Sequence, residues 1–186
     1  LYNSDKVKDP VKSWDILWDP EYSGKIGMYN SSRDSFAVAL KKLGYSLNST
    51  DTTEIEEARD LLIEQKPLVL AYGEDNLKDM LASEEIDLAV AYSGDYGWII
   101  EENPRMSYRV PEEGSNIWFD NWVILKDTPN KEPAEKFINF LCREDIALRN
   151  ADYIGYATPI PSVRDQLDDE VKNDEAIYPP QSVIEN

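Results

Sequence analysis

A β-strand sends alternate side chains to opposite faces. Ile86-Asp87-Leu88-Ala89-Val90-Ala91-Tyr92 offers apolar groups to both. As a strand, this run needs cover on two sides and a central place in a sheet. The text around it supplies that cover. Lys25-Ile26-Gly27-Met28-Tyr29 and Leu68-Val69-Leu70-Ala71-Tyr72 also read as strands. Between them, Phe36, Ala39, Leu40 and Leu43 recur at helical spacing, with Gly44 as a C-terminal cap signal. A second helix opens at Asp51-Thr52-Thr53-Glu54 with the face Ile55, Ala58, Leu61 and Leu62. A short helix carries Leu77, Met80 and Leu81, and Ser93-Gly94-Asp95 turns into another through Trp98, Ile99 and Ile100. Strands alternating with helices predict α/β layers on a mainly parallel sheet.

Further along, Met106 to Pro111 and Ile117 to Leu125 read as strands. Lys131 to Leu141 reads as a helix with Pro133 in its first turn, where proline is tolerated. A short helix over 145–151 and a loop at Gly155-Tyr156-Ala157-Thr158-Pro159 follow. Upstream, Ser13 to Pro20 reads as one capped helical turn whose Trp14 and Trp18 share a face. The polar opening through Asp9-Pro10 reads as a connector, and a start at Leu1 reads as a piece processed or excised from a longer chain.

The 186 residues suffice for one substantial core or two small lobes. With 37 acidic against 19 basic residues the formal charge is −18, a surface that repels nucleic acid and anionic lipid. Histidine is absent, which removes the usual general base, the usual metal ligand and imidazole-dependent triads. Cys142 is the single cysteine; its apolar setting, Phe137-Ile138-Asn139-Phe140-Leu141, predicts a buried thiol. No apolar run has the length of a membrane helix, no stretch of these residues reads as a signal peptide, and no phosphate-binding loop or calcium-loop spacing occurs.

What remains is a set of acids and aromatics at expected strand ends: Asp34, Tyr92, Asp95, Trp118, Asp120 and Tyr156. In a strand, Trp118 and Asp120 would face one side together. An indole beside a carboxylate suits an organic cation, because the ring attracts its charge and the acid accepts from its N–H groups. Other readings stay open at this point. Asp34 also suits the N-terminus of a helix, Trp122 also suits a core or a protein contact, and the paired carboxylates also suit glycoside hydrolysis.

The chain also resembles a family. The order Ser13-Trp14-Asp15-Ile16-Leu17-Trp18, Ala39 to Asn48, Val110-Pro111-Glu112-Glu113-Gly114 and Trp118-Phe119-Asp120-Asn121 resembles the spermidine/putrescine-binding proteins of polyamine ABC transporters. Phe137 to Leu141 and Ile154 to Pro159 extend the likeness over nearly the whole chain. The resemblance implies a periplasmic-binding-protein-like lobe, in a partial chain lacking most of the first lobe. It implies residues 1–19 as a connector from that lobe, 20–118 as the second ligand-binding lobe, 119–167 as a crossover segment belonging with the first lobe, and 168–186 as a return segment. By position, Asp34 and Asp120 would bind amines, and Trp118, Tyr92 and Tyr156 would line the slot for the methylenes. Ser31 stands where the family carries an acid. The implied protein is no enzyme and needs no metal or other cofactor. It would bind a polyamine at the periplasmic or extracellular face of the membrane and deliver it to an ABC permease, with domain-swapped self-association open to the partial chain. A receptor for another solute is the runner-up, and a carboxylate-pair hydrolase a distant third.

Overall fold

The computed structural model describes residues 1–7 and 11–184, so part of the expected connector, residues 8–10, lies outside the described residues. The chain divides into two compact units: Leu1–Asn116 together with the stretch from Pro180 onward, and Ile117–Pro179.

The first unit is built on a five-stranded sheet, counted among the described residues. In chain order its elements are β1 (Tyr2–Asn3), β2 (Ile26–Tyr29), α1 (Ser32–Lys42), α2 (Thr52–Gln65), β3 (Val69–Gly73), α3 (Asn76–Ala82), β4 (Leu88–Ala89), α4 (Ser93–Glu102) and β5 (Met106–Ser107). The spatial order is β3-β2-β4-β1-β5. β2 pairs in parallel with β3 and β4, while β1 runs antiparallel to β4 and β5. Four strands therefore point one way and β1 alone opposes them. The expected central run does hold the middle of the sheet, but its paired part is only Leu88–Ala89. A strand extends as far as its partners do, and β1 is two residues long. The same limit shortens the expected 106–111 strand to β5.

Period-two alternation sorts the core onto two faces. Ile26, Met28 and Leu88 pack with Leu17, Tyr22 and Val38 on one side. Tyr29 and Ala89 pack with Leu77, Leu81 and Ile99 of α3 and α4 on the other. Gly27 lies on that second face, where an added Cβ would meet Ile86 Cδ1 at 2.7 Å and Leu77 Cδ2 at 3.0 Å, so only hydrogen fits beneath α3. Asp87, the polar break in the apolar run, pairs with Lys6 at 2.9 Å. The opening residues, expected as a polar link, supply β1 and bury Leu1 and Val7.

Trp14–Trp18 is a 3₁₀ turn capped by Ser13, whose side chain accepts from the Asp15 amide. At three residues per turn, positions four apart do not share a face. Both indoles nonetheless pack against the cluster of Leu17, Tyr22 and Ile26, and each takes its own acceptor: Trp14 donates to the Gly114 carbonyl and Trp18 to the Leu61 carbonyl, each at 2.9 Å.

The second unit is helical. It carries α5 (Lys131–Leu141), α6 (Glu144–Ile154), α7 (Pro161–Arg164) and α8 (Asp169–Lys172); α9 (Gln181–Ile184) belongs to the first unit. Residues 117–125 form no sheet ladder, contrary to the strand expected there, and Ile117, Phe119, Trp122, Val123 and Leu125 are exposed. Strand formation needs a neighbour to take the backbone groups, and this stretch has none among the described residues. Cys142, which caps the end of α5, is exposed, not buried, and Phe137 and Phe140 of that helix are exposed as well.

Candidate functional site

The chain leaves β2 toward β3 on one side of the sheet and leaves β4 toward β5 on the other. Such a reversal opens a crevice outside the carboxyl ends of the two strands, the place where open α/β sheets bind ligands. Tyr29 ends β2, and Tyr92 follows β4 immediately before α4.

These two tyrosines stack, with ring centroids 4.5 Å apart and planes 25° from parallel. The Tyr29 hydroxyl accepts from the Tyr92 amide at 3.1 Å and donates to Asp95 Oδ2 at 3.2 Å. Lys78, on α3, places its ammonium 2.8 Å from the other Asp95 oxygen. Burial and the nearby Asp95 carboxylate push the Tyr29 phenol far above its ordinary range. The hydrogen bond to Asp95 raises the Lys78 ammonium in turn.

Asp34 lies in the first turn of α1, where the helix N-terminus favours an acid. Ser31 caps that helix by accepting from the Asp34 amide at 3.3 Å, which explains a serine at this position. The Asp34 carboxylate takes the Tyr92 hydroxyl at 3.1 Å on Oδ2 and the Asn116 amide at 3.5 Å on Oδ1. Its place in the first turn of α1 and its approach to Tyr92 thus coexist. Burial, then the charge of Asp34, pushes the Tyr92 phenol up to about 12, so it remains a donor at neutral pH.

In the second unit, Trp118 and Tyr156 meet edge to face with centroids 6.3 Å apart. Asp120 is exposed two residues from Trp118, but the strand that would have aimed both to one side is not formed. Trp122 does not enter a core: it is 70% exposed and touches Phe137 edge to face at 6.1 Å. The predicted ligand residues therefore gather as two sets, Asp34 with Tyr92 in the first unit and Trp118 with Tyr156 in the second.

The Pro111 to Gly114 segment has a structural job. Glu113 binds the Ser13 hydroxyl and accepts from the Trp14 amide at 3.2 Å, and the Glu112 amide donates to the Lys12 carbonyl at 2.7 Å. Gly114 turns the chain with φ of +84°.

Three participants escaped the sequence reading: Tyr29, Asn116 and Lys78. Tyr29 carried a signal in hindsight, as a polar-tipped ring at the carboxyl end of a strand. Asn116 and Lys78 join the cluster only through tertiary contacts. Among the described residues, no group of three or more acids or thiols is placed to hold a metal, and no helix is long and apolar enough to cross a membrane. A carboxylate held by neutral donors beside a phenol stack is suited to accept a cation with N–H groups.

Comparison with known proteins agrees with that fold. Residues 1–179 match the family described as bacterial extracellular solute-binding protein, and the chain belongs to it. Among individual relatives, it is 39% identical over 186 residues to the spermidine/putrescine-binding periplasmic protein of Escherichia coli K12, covering 99% of this chain and 53% of that one. It is 29% identical over 201 residues to the putrescine-binding periplasmic protein PotF of the same organism, covering 98% and 54%. Two solved structures share the fold closely. A putative spermidine/putrescine ABC transporter protein from Listeria monocytogenes superposes with a TM-score of 0.92 at 36% identity, over 100% of this chain and 57% of that one. The substrate-binding protein PotD of Streptococcus pneumoniae gives 0.86 at 37% identity, over 99% and 57%. The chain spans about half the length of the curated relatives it matches.

Proposed function

We propose that the protein is the solute-binding component of an ABC importer and that its solute is a polyamine, spermidine or putrescine. The observation that carries this reading is the Asp34 carboxylate at the β2–β4 crevice, held by Tyr92 and Asn116. The relatives' names and the absence of histidine are consistent with it. A polyamine alternates ammonium groups with methylenes. Each ammonium that loses water needs an acceptor, since an unpaired buried charge costs several kcal/mol. Each buried methylene contributes about 0.8 kcal/mol. Asp34 and Asp120 take amines, and Tyr92, Trp118 and Tyr156 flank the carbon chain. No bond is made or broken; the protein binds and releases.

The remaining assignments follow the same reading. Residues 20–118 form the second lobe, entered through the 1–19 segment, whose β1 joins the lobe's sheet; 119–167 belong with a first lobe, and 168–186 return. The protein works at the periplasmic or extracellular face of the membrane and hands its solute to a permease. The 186-residue chain, left with the exposed apolar stretch 117–125, pairs with a second copy by exchanging it.

Calorimetry of the full-length protein with spermidine, putrescine, acidic amino acids and sugars tests this reading. Binding of polyamines alone is expected, with most of the affinity lost in Asp120→Asn. Binding of an anionic solute instead overturns the polyamine assignment, and unchanged affinity in Asp120→Asn removes that residue from the site.

A further inference from the structure

Two acids stand at the carboxyl edge of β2 and β4, and they are treated differently. Asp34 is held by neutral donors, the Tyr92 hydroxyl and the Asn116 amide. Asp95 is already matched by a protein ammonium, Lys78 Nζ, 2.8 Å away. The two lie at opposite ends of one tyrosine: the Tyr92 hydroxyl meets Asp34, and the Tyr92 amide meets the Tyr29 hydroxyl that donates to Asp95. Asp95 is buried, whereas the Lys78 side chain keeps about a third of its surface in solvent and also reaches the exposed Asp75 at 3.2 Å. The ammonium that neutralises Asp95 thus arrives from the solvent side.

We infer that Lys78 is a specificity-determining residue: it stands in for a ligand ammonium at Asp95, so that this edge of the crevice offers one unmatched carboxylate rather than two. This rests on the amine-binding reading of the Asp34 site. A solute with two ammonium groups loses little by finding Asp95 occupied. A solute with three is denied an additional acceptor. Lys78 therefore biases the protein toward the less charged amine. Tyr29 couples the two acids, since its ring and hydroxyl fix the phenol that addresses Asp34.

The test is calorimetry of putrescine, with two ammonium groups, and spermidine, with three, against the full-length protein and its variants. Lys78→Met exposes an unmatched Asp95 charge and is expected to raise the spermidine-to-putrescine affinity ratio by about fivefold, since a nearby extra charge acts more strongly on the more charged ligand. Lys78→Met with Asp95→Asn removes both charges and returns the ratio to its original value. That pair of results separates specificity from mere damage, because a destabilised site weakens both ligands alike. Lys78→Arg keeps the ratio. If the unaltered protein binds polyamines and Lys78→Met leaves the ratio unchanged or weakens both equally, Lys78 has no part in selection and the inference is wrong. If the unaltered protein binds neither amine, the amine-binding reading falls and takes this inference with it.

Discussion

The Tyr92 hydroxyl donates to Asp34 across 58 positions of sequence, joining the start of α4 to the start of α1 at 3.1 Å. The side chain that opens α4 thus reaches a carboxylate in the first turn of α1. Removing that hydroxyl while keeping the ring tests what the contact does. Tyr92→Phe retains the stack on Tyr29 but leaves one Asp34 oxygen without its donor. A hydrogen bond to a charged group contributes about 1.5–3 kcal/mol, so polyamine affinity is expected to fall about 10- to 150-fold. Titration calorimetry reads the loss, and an unchanged affinity would show that the phenol does not orient Asp34 for the ligand.

The tyrosines also predict an alkaline response. Burial, then the charge of Asp95, pushes the Tyr108 phenol up to about 12, and Tyr92 is raised likewise. In the unfolded chain these phenols titrate near pH 10. Between pH 10 and 12 the unfolded state therefore releases protons that the folded state keeps. The stability associated with the neutral phenols is complete below pH 10 and declines as pH rises toward 12. Urea midpoints measured across this range should fall, and they should fall less steeply in Tyr108→Phe. A parallel decline in both proteins would contradict the assignment.

Glu113 binds Ser13 and the Trp14 amide, tying the Pro111 to Gly114 turn to the 3₁₀ turn that follows the opening strand. The carboxylate is half-buried and acts as a helix cap from a distance of 99 residues. Glu113→Ala is expected to lower unfolding stability by about 1–3 kcal/mol through the donors left unmatched. Glu113→Gln keeps one acceptor and should recover part of that loss. Denaturant unfolding followed by tryptophan emission distinguishes the two variants.

Much of the first unit was legible in advance, for a physical reason. Gly44, Asp51 and Ser13 are local signals, and each does the job its neighbours specify: a left-handed turn after α1, a cap on α2, a cap on the first turn. Ile86 to Tyr92 announced the sheet's centre because burial on both faces leaves a continuous apolar run. Asp34 and Tyr92 stand out by strand-end position, and they meet. The failures share the opposite trait. The alignment of Trp118 with Asp120 assumes a strand, and a buried Cys142 assumes that apolar neighbours make a core. A strand requires a partner and a core requires cover, and neither is a property of the segment itself. β1 was missed because two residues carry no periodicity, and Lys78 because a surface-type residue reveals its partner only after folding.

Gly27 offers a packing test that does not touch the site chemistry. It sits under α3 between Ile86, Leu77 and Ala89, with room for hydrogen alone. The two nearest atoms belong to branched side chains packed in the core, so they yield only by disturbing other contacts. Gly27→Ala is expected to cost about 1–3 kcal/mol in overpacking. A compensating Ile86→Val should restore part of the loss, since it removes the methyl that the new Cβ meets at 2.7 Å. Thermal unfolding of the single and double variants checks both steps.

The exposed stretch 117–125 sets up opposing forces in the 186-residue chain. Ile117, Phe119, Trp122, Val123 and Leu125 are left in water, together with Phe137 and Phe140 of α5. Exposed apolar groups in such number favour association. The formal charge of −18 works against it, and that repulsion is long-ranged at low salt. Pairing through segment exchange is therefore expected to grow as ionic strength rises, because salt screens the repulsion and leaves apolar burial intact. Sedimentation velocity at low and high sodium chloride should show the dimer fraction increasing. Trp122→Glu places a charge among these groups and should keep the chain monomeric under both conditions. Cys142, exposed in the unpaired chain, supplies a second readout: its reaction with Ellman's reagent should slow as the dimer forms. A monomer at all salt concentrations, with a thiol of constant reactivity, would rule out the exchange.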